Sequence, residues 1–285
     1  MGYGDDLMVT AFASDIKKKY PERQIVIGNV KKKQAYHSIV YDNNPNISNC
    51  NKLDPKKPIH IIDYHQGNRP YINYKKSKQD GKYSWNQDFR PQPGQIFFSK
   101  EENNKSLLII NNAIKYWHKK NKKKYKAIIF LESSSIKKDD LQFGTKHQNK
   151  DWGEENWFKL VNKIKNDFLI IQSQHDKTKK IENIYTTNNI NFREACSVLN
   201  KCDLYLGLEG GFGHAAAALN KKAVIYFGGW ISPEVVGYSF HKNIYYESSK
   251  SPCGIFLEKC KHCDEARRKI TPNIIEKEIY SILNL

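Results

Sequence analysis

Short runs of β-branched and aromatic residues alternate with stretches of helical periodicity along most of this chain, and no other feature restricts its fold as much. In the first half the runs are QIVIGNV, IHIIDY and QIFFS; in the second they are KAIIFLE, FLIIQS, LYLGL and AVIYF. Strands separated by helices pair in parallel through crossover connections, which predicts an α/β fold with parallel sheets. Trp157, Leu160, Val161 and Ile164 share one helix face, and Phe192, Ala195, Cys196 and Leu199 repeat the spacing. With 285 residues the chain is long enough for two domains, each with its own core. The basic run HKKNKKKYK, residues 118–126, marks the boundary, which gives a first domain over 1–120 and a second over 121–285. Segments 43–58 and 75–94, rich in Asn, Pro, Lys and Gly, read as loops. A doubly wound domain usually opens on a buried strand, yet here a Gly-rich turn and a helix begin almost at Met1. The expectation is that the first strand is missing or lies upstream of the assigned start.

Composition narrows the function classes. Hydrophobic residues make up 39% and aromatics 12%, which suits a globular chain rather than a disordered one. Lys and Arg outnumber Asp and Glu by 47 to 30, a formal charge of +17 that favours phosphate-rich partners or is simply a solvated lysine surface. No apolar run approaches the roughly 18 to 20 residues of a membrane helix, and the N-terminus lacks a signal-peptide layout, so the expected location is cytoplasmic. Six scattered cysteines fit a reducing compartment better than a disulfide framework.

The stretch from Gly207 to Gly229, GLEGGFGHAAAALNKKAVIYFGG, carries the chemistry. A strand ends at Glu209, Gly210 and Gly211 let the backbone turn closely, and a helix opens near Gly213 or His214. Free amides at such a helix start, at the carboxyl edge of a sheet, are placed to hold phosphate. The helix dipole contributes only about 0.3 to 1 kcal/mol at an exposed end, so directed N–H bonds must supply the rest. A carboxylate at the mouth of an anion site is unexpected. Taken alone, the glycines also fit a plain turn and Glu209 an exposed loop charge.

The longer run NFREACSVLNKCDLYLGLEGGFGHAAAALNKKAVIYFGG resembles the nucleotide-sugar site of glycosyltransferase family 9, the ADP-heptose:lipopolysaccharide heptosyltransferases. GYGDDLMVTA, NKDWGEENW and KCKHCDEARRKITPNIIEKEI match further family stretches in the same order. The resemblance implies a GT-B architecture, two Rossmann-like domains facing a cleft, with a C-terminal helix packing back. It implies an inverting, metal-independent transfer of a heptose-like sugar from a nucleotide-diphosphate donor to a lipopolysaccharide or other surface glycan, without a cofactor. Glu209 would then reach sugar hydroxyls, which donate well to a carboxylate, while Gly210, Gly211, Gly213 and the helix amides hold the diphosphate. The family more often has Asp followed by Thr or Ser, so Glu209 and Gly210 depart from its pattern. His214 would bind beside the phosphates, Lys150 would offset charge on the departing nucleotide, and Ser133, Ser134 and Ser135 would touch the phosphates. Asp5 falls on the proposed general base, a carboxylate within about 2.6 to 3.2 Å of the acceptor hydroxyl in the closed complex. Asp5 or Asp6 is equally placed to cap the helix that follows, and Asp6 stands where the family is apolar.

Asp63, His65 and Arg69, with His60, lie near a predicted strand end facing the acceptor side and are candidate acceptor contacts. The acceptor would be an anionic glycan or glycolipid, reached by the basic surface at the inner membrane face; nucleic acid is not expected. Segment 136–149 reads as a lid or an insertion. Cys253, Cys260, His262 and Cys263 form a C-x6-C-x-H-C cluster read as structural thiols, with zinc as the alternative. Ile275, Ile279, Ile282 and Leu283 give the final helix an apolar face. Two other classes stay open: a catalytically inactive nucleotide-sugar-binding relative, and a basic nucleic-acid-binding protein.

Overall fold

The computed structural model describes residues 2–77, 81–134, 146–175 and 178–285, with the side chains of Lys146 and His147 left aside. The first part holds helix α1 (Tyr3–Lys19), strands β1 (Gln24–Asn29) and β2 (Gln34–Ala35), a 3-10 turn at Ile39–Tyr41, and strand β3 (Ile59–Asp63). Helix α2 (Lys100–Lys120) leads to β4 (Ile128–Leu131), α3 (Lys146–Lys150), α4 (Glu154–Ile164), β5 (Leu169–Gln172), β6 (Tyr185–Thr186) and α5 (Phe192–Asn200). Then come β7 (Leu204–Leu208), α6 (Gly211–Ala218), β8 (Lys222–Gly228), α7 (Pro233–Val236), β9 (Lys242–Tyr245), α8 (Lys261–Lys269) and α9 (Pro272–Leu283).

Two sheets result, as the alternation requires. The smaller has the order β2-β1-β3, with β1 and β3 parallel and β2 antiparallel. The larger is wholly parallel, β6-β5-β4-β7-β8-β9. Its order reverses between β4 and β7, and the crevice beyond the carboxyl ends of those strands is where open α/β sheets bind ligands. Side chains alternate across this sheet as the pleat demands. Ile128, Phe130, Ile171, Tyr205 and Ile225 face a core shared with α2, α5, α6 and the first part. Ile129, Leu131, Ile170, Leu206 and Val224 face a second core with α4 and α9. The helix faces expected at Trp157–Ile164 and Ala195–Leu199 are buried in these cores, and α9 packs back on α4 and β8 through Ile275 and Ile279.

One detail differs from the sequence reading, and the packing of α2 adds to it. QIFFS is not a strand: the Gln95 amide donates to Thr10 Oγ1 of α1 (2.6 Å) instead of joining a ladder, and the segment crosses that helix. Helix α2, counted with the first domain from its place before the basic run, packs on α5, β5 and β6 of the larger sheet. Its N-terminus is closed by a capping box, with Ser99 and Glu102 each accepting the other's backbone amide.

Candidate functional site

The amino ends of α1 and α6 meet. Gly4 lies against Gly211 and His214 so closely that a Cβ on Gly4 would fall 2.8 Å from the imidazole. The two helix starts therefore aim their unbonded amides and positive dipole ends at one region, beyond the switch between β4 and β7. Gly210 borders open space, since a Cβ there would meet nothing within 4 Å.

On the α1 side sits Asp5, buried at the third helical position. Tyr71 Oη donates to its Oδ1 (2.7 Å), Arg69 Nε lies 3.2 Å from Oδ2, and the Gly2 amide bonds back to it (3.4 Å). Arg69, expected among acceptor contacts, is thus brought to the carboxylate expected to act as base. Asp6 points elsewhere: it accepts from Ser38 Oγ (2.7 Å) and Tyr41 Oη (3.1 Å), and burial raises its pKa above the usual carboxylate range. It borders a cavity of about 660 Å³ that Tyr3, Tyr36, His37 and His65 also line. Asp63 is used locally, accepting from the Val30 amide and Asn68 Nδ2 (both 3.0 Å), with His65 Nε2 3.6 Å away. His60 stacks on Tyr20, away from this region.

On the β7 side, Lys150 Nζ pairs with Glu209 Oε2, and the ammonium lies 5.1 Å from the centroid of the Trp230 ring. His214 Nδ1 meets Tyr238 Oη at 2.9 Å; burial lowers its pKa, so the ring is neutral near pH 7. Glu209, Asp5 and Lys150 all act electrostatically on this imidazole, which stands between the two sides. Ser133 Oγ accepts from Gln172 Nε2 (2.9 Å), and Ser134 Oγ donates to Asp151 Oδ2 (3.1 Å). Ser135 and most of the segment read as a lid or insertion lie outside the described residues.

Sequence reasoning missed Glu132, the last residue of KAIIFLE. It is buried beside Lys150 and Glu209, and burial pushes its pKa up to about 7 against the pull of Tyr205 and Lys150. Tyr205 Oη stands 2.5 Å from Glu132 Oε2 and 2.9 Å from the Leu208 carbonyl. A carboxylate closing a buried strand beside a crevice was the available signal.

The Cys253, Cys260 and Cys263 thiols converge, all within 4.8 Å of one another, and this is the one such group among the described residues. His262 is not part of it; its Nε2 meets Ser251 Oγ at 2.8 Å. The cluster is bolted to the lysine segment. Asn149 Nδ2 donates to the Ile255 and Glu258 carbonyls and its Oδ1 accepts from the Cys260 amide, while Arg267 donates to the Gln148 and Asp151 carbonyls.

The family model described as glycosyltransferase family 9 (heptosyltransferase) matches residues 49–253. The chain belongs to glycosyltransferase family 9. Its fold is the GT-B architecture. Among solved structures, the iron-containing dodecameric glycosyltransferase TibC of enterotoxigenic Escherichia coli aligns over 99% of this chain and 74% of its own, with a TM-score of 0.62 at 12% identity. A family 9 glycosyltransferase of Veillonella parvula aligns over 99% and 95%, with a TM-score of 0.58 at 12% identity. The ADP-heptose lipopolysaccharide heptosyltransferase II of Escherichia coli aligns over 67% of this chain at 15% identity, with a TM-score of 0.44. The chain spans about half the length of that enzyme, 53%. No curated protein matches it. No helix among the described residues is long and apolar enough to cross a membrane.

Proposed function

We propose that this family 9 chain is a glycosyltransferase that moves a heptose-type sugar from a nucleotide-diphosphate donor to a hydroxyl of a lipopolysaccharide or related surface glycan, with inversion at the anomeric carbon. The observation that carries this reading is the juxtaposition of Asp5 with the Lys150–Glu209 pair across His214, at two converging helix starts. Asp5, oriented by Arg69 and Tyr71, takes the acceptor proton as that oxygen bonds to the anomeric carbon. The bond from that carbon to the diphosphate breaks on the opposite face, and the nucleoside diphosphate leaves with the electron pair. Lys150 and the α6 amides meet its charge, which is electrostatic stabilisation aimed where charge develops. Glu209 exchanges the Lys150 ammonium for donor sugar hydroxyls, releasing Lys150 to the diphosphate. In this scheme the transfer itself needs no metal ion, and the lysine-rich surface draws an anionic lipid-linked acceptor at the membrane face.

One structural neighbour, TibC, is described as iron-containing. In this chain Cys253, Cys260 and Cys263 form the donor set that would hold such an ion. Their sulfurs lie 3.3 Å (253 to 263) and 3.5 Å (253 to 260) apart, near the roughly 3.8 Å edge that bonds of about 2.3 Å give a tetrahedral thiolate site. We assign the trio a structural role, since it braces the segment carrying Lys150 instead of facing the transfer.

Calorimetric titration with ADP-heptose tests the reading. Lys150→Ala and Glu209→Ala should each weaken binding about tenfold to hundredfold, the loss expected for a charged contact. Asp5→Ala should bind donor normally and transfer nothing to a lipopolysaccharide acceptor. Donor binding indifferent to Lys150 and Glu209, or full turnover by Asp5→Ala, would sink the proposal.

A further inference from the structure

Glu132 lies outside the transfer scheme, yet it is built into the floor of the donor site. It follows β4 at the switch point, directly across from β7, and its amide donates to the Leu206 carbonyl (2.9 Å). The Tyr205 hydroxyl has two close oxygen neighbours, Glu132 Oε2 at 2.5 Å and the Leu208 carbonyl at 2.9 Å, but only one proton to give. If Glu132 were ionised, one of the two contacts would set lone pairs against each other. With the proton on Glu132, both are hydrogen bonds: the carboxyl donates to the phenol and the phenol donates to Leu208. That carbonyl immediately precedes Glu209, Gly210 and Gly211. Gly207 completes the arrangement, because a Cβ there would lie 2.5 Å from the phenol oxygen and 3.0 Å from Glu132 Cβ.

We propose that Glu132, carrying its proton, is a positioning residue that sets the Glu209–Gly211 turn through Tyr205, so that the site takes its anionic donor best while that proton is in place. This rests on the donor-site reading above. Loss of the proton has two effects in one direction. The phenol turns to the carboxylate and the Leu208 carbonyl loses its donor. A second negative charge also appears beside Glu209, where the diphosphate must come. The groups acting on Glu132 are Tyr205 from β7, Lys150 from α3, Glu209 from the turn and Asp151 from the loop after α3, and the Cys196 thiol of α5 also senses its charge. Lys150 is the one cation among them, and it is already paired with Glu209. Burial outweighs it and keeps Glu132 neutral up to about pH 7.

The test uses the full chain and begins without ligand. Side-chain carboxyl NMR of glutamate-labelled protein, with Glu132 identified by its absence in Glu132→Gln, should show it titrating near 7. The Gly210 and Gly211 amide signals should shift with the same midpoint, stay flat in Glu132→Gln, and uncouple from Glu132 in Tyr205→Phe. Titration in the ordinary carboxylate range, or identical glycine shifts in Glu132→Gln, overturns the proposal. ADP-heptose is the binding probe because its diphosphate, esterified at both ends, does not change its charge over the range. Wild-type affinity should fall about tenfold between about pH 6 and about pH 8.5, the scale of one added charge at this distance. Glu132→Gln, which still donates to Tyr205, should keep the tighter affinity throughout; an unchanged pH profile in that variant also overturns the proposal. Should ADP-heptose bind at neither pH, the transferase reading fails, while the carboxyl and amide titrations still decide the relay.

Discussion

Glu132 also ties folding stability to pH in a direction opposite to most paired carboxylates. Its folded pKa, about 7, stands above the ordinary value of 4.5. The native state therefore holds a proton that the unfolded chain releases, and stability is greatest below the lower value and declines as pH rises through that window. The contribution amounts to about 3 kcal/mol at most. Asp6 acts in the same sense, while His214 and His241, whose pKa values burial lowers, cost stability as pH falls below the ordinary imidazole range. Urea unfolding from about pH 5 to about pH 8, wild type against Glu132→Gln, isolates the glutamate: the variant should lose the part of the decline that Glu132 carries and keep that of Asp6. Equal slopes would mean that Glu132 ionises normally. None of this was legible in KAIIFLE. The motif places a carboxyl at a strand end, but its proton depends on a phenol and a carbonyl more than seventy positions along the chain, brought together by parallel pairing of β4 and β7. Asp5 shows the converse. Its motif was readable, whereas its partners Arg69 and Tyr71 come from a segment with no periodicity to place them.

Among the elements, those buried on both faces were the readable ones. LYLGL became β7 residue for residue, the four-residue face of α4 lies in the core, and that of α5 does so but for Phe192, which packs against its edge. The two-residue strands β2 and β6 have too little apolar pattern to register, and QIFFS has the pattern but spends its backbone on α1. Helix α8 shows how far an element's role can lie from its sequence signal. Its Cys263, with Cys253 and Cys260, reads as a thiol cluster, yet the consequence falls on Lys150 through Asn149 and Arg267. If the trio holds a structural ion, protein purified under reducing conditions should contain about one iron or zinc per chain by elemental analysis, and Cys260→Ser should lose it. Amide exchange of the Asn149–Trp152 segment should then rise several-fold while β7 stays protected. Metal-free protein with unchanged exchange in that variant would reduce the cluster to packing.

Across the whole molecule, Arg193 fastens the larger sheet to the first part of the chain. From α5 it reaches the Ile39, Asp42 and Phe97 carbonyls and forms a two-pronged pair with Glu102 of α2 (2.6 and 2.8 Å). Arg193 is buried and Glu102 half-buried, so removing the arginine strands a partly enclosed carboxylate, and Arg193→Ala should cost about 3 kcal/mol, the lower end for a buried pair, in denaturant unfolding. Arg193→Met combined with Glu102→Leu should recover part of that, less what the lost α2 capping box costs; no recovery would mean that the cap and the carbonyl contacts matter more than the charge pair. A second join is aromatic. Trp85 from the first part meets Trp230 edge to face with centroids 4.9 Å apart, and Tyr83 packs on Phe256 at 4.5 Å. Because the same Trp230 ring lies under the Lys150 ammonium, the join has an optical consequence. A ligand that draws the cation away changes the field across an indole already coupled to a second one, so on the proposed donor reading occupancy should shift the protein's own emission spectrum and be followed without a label.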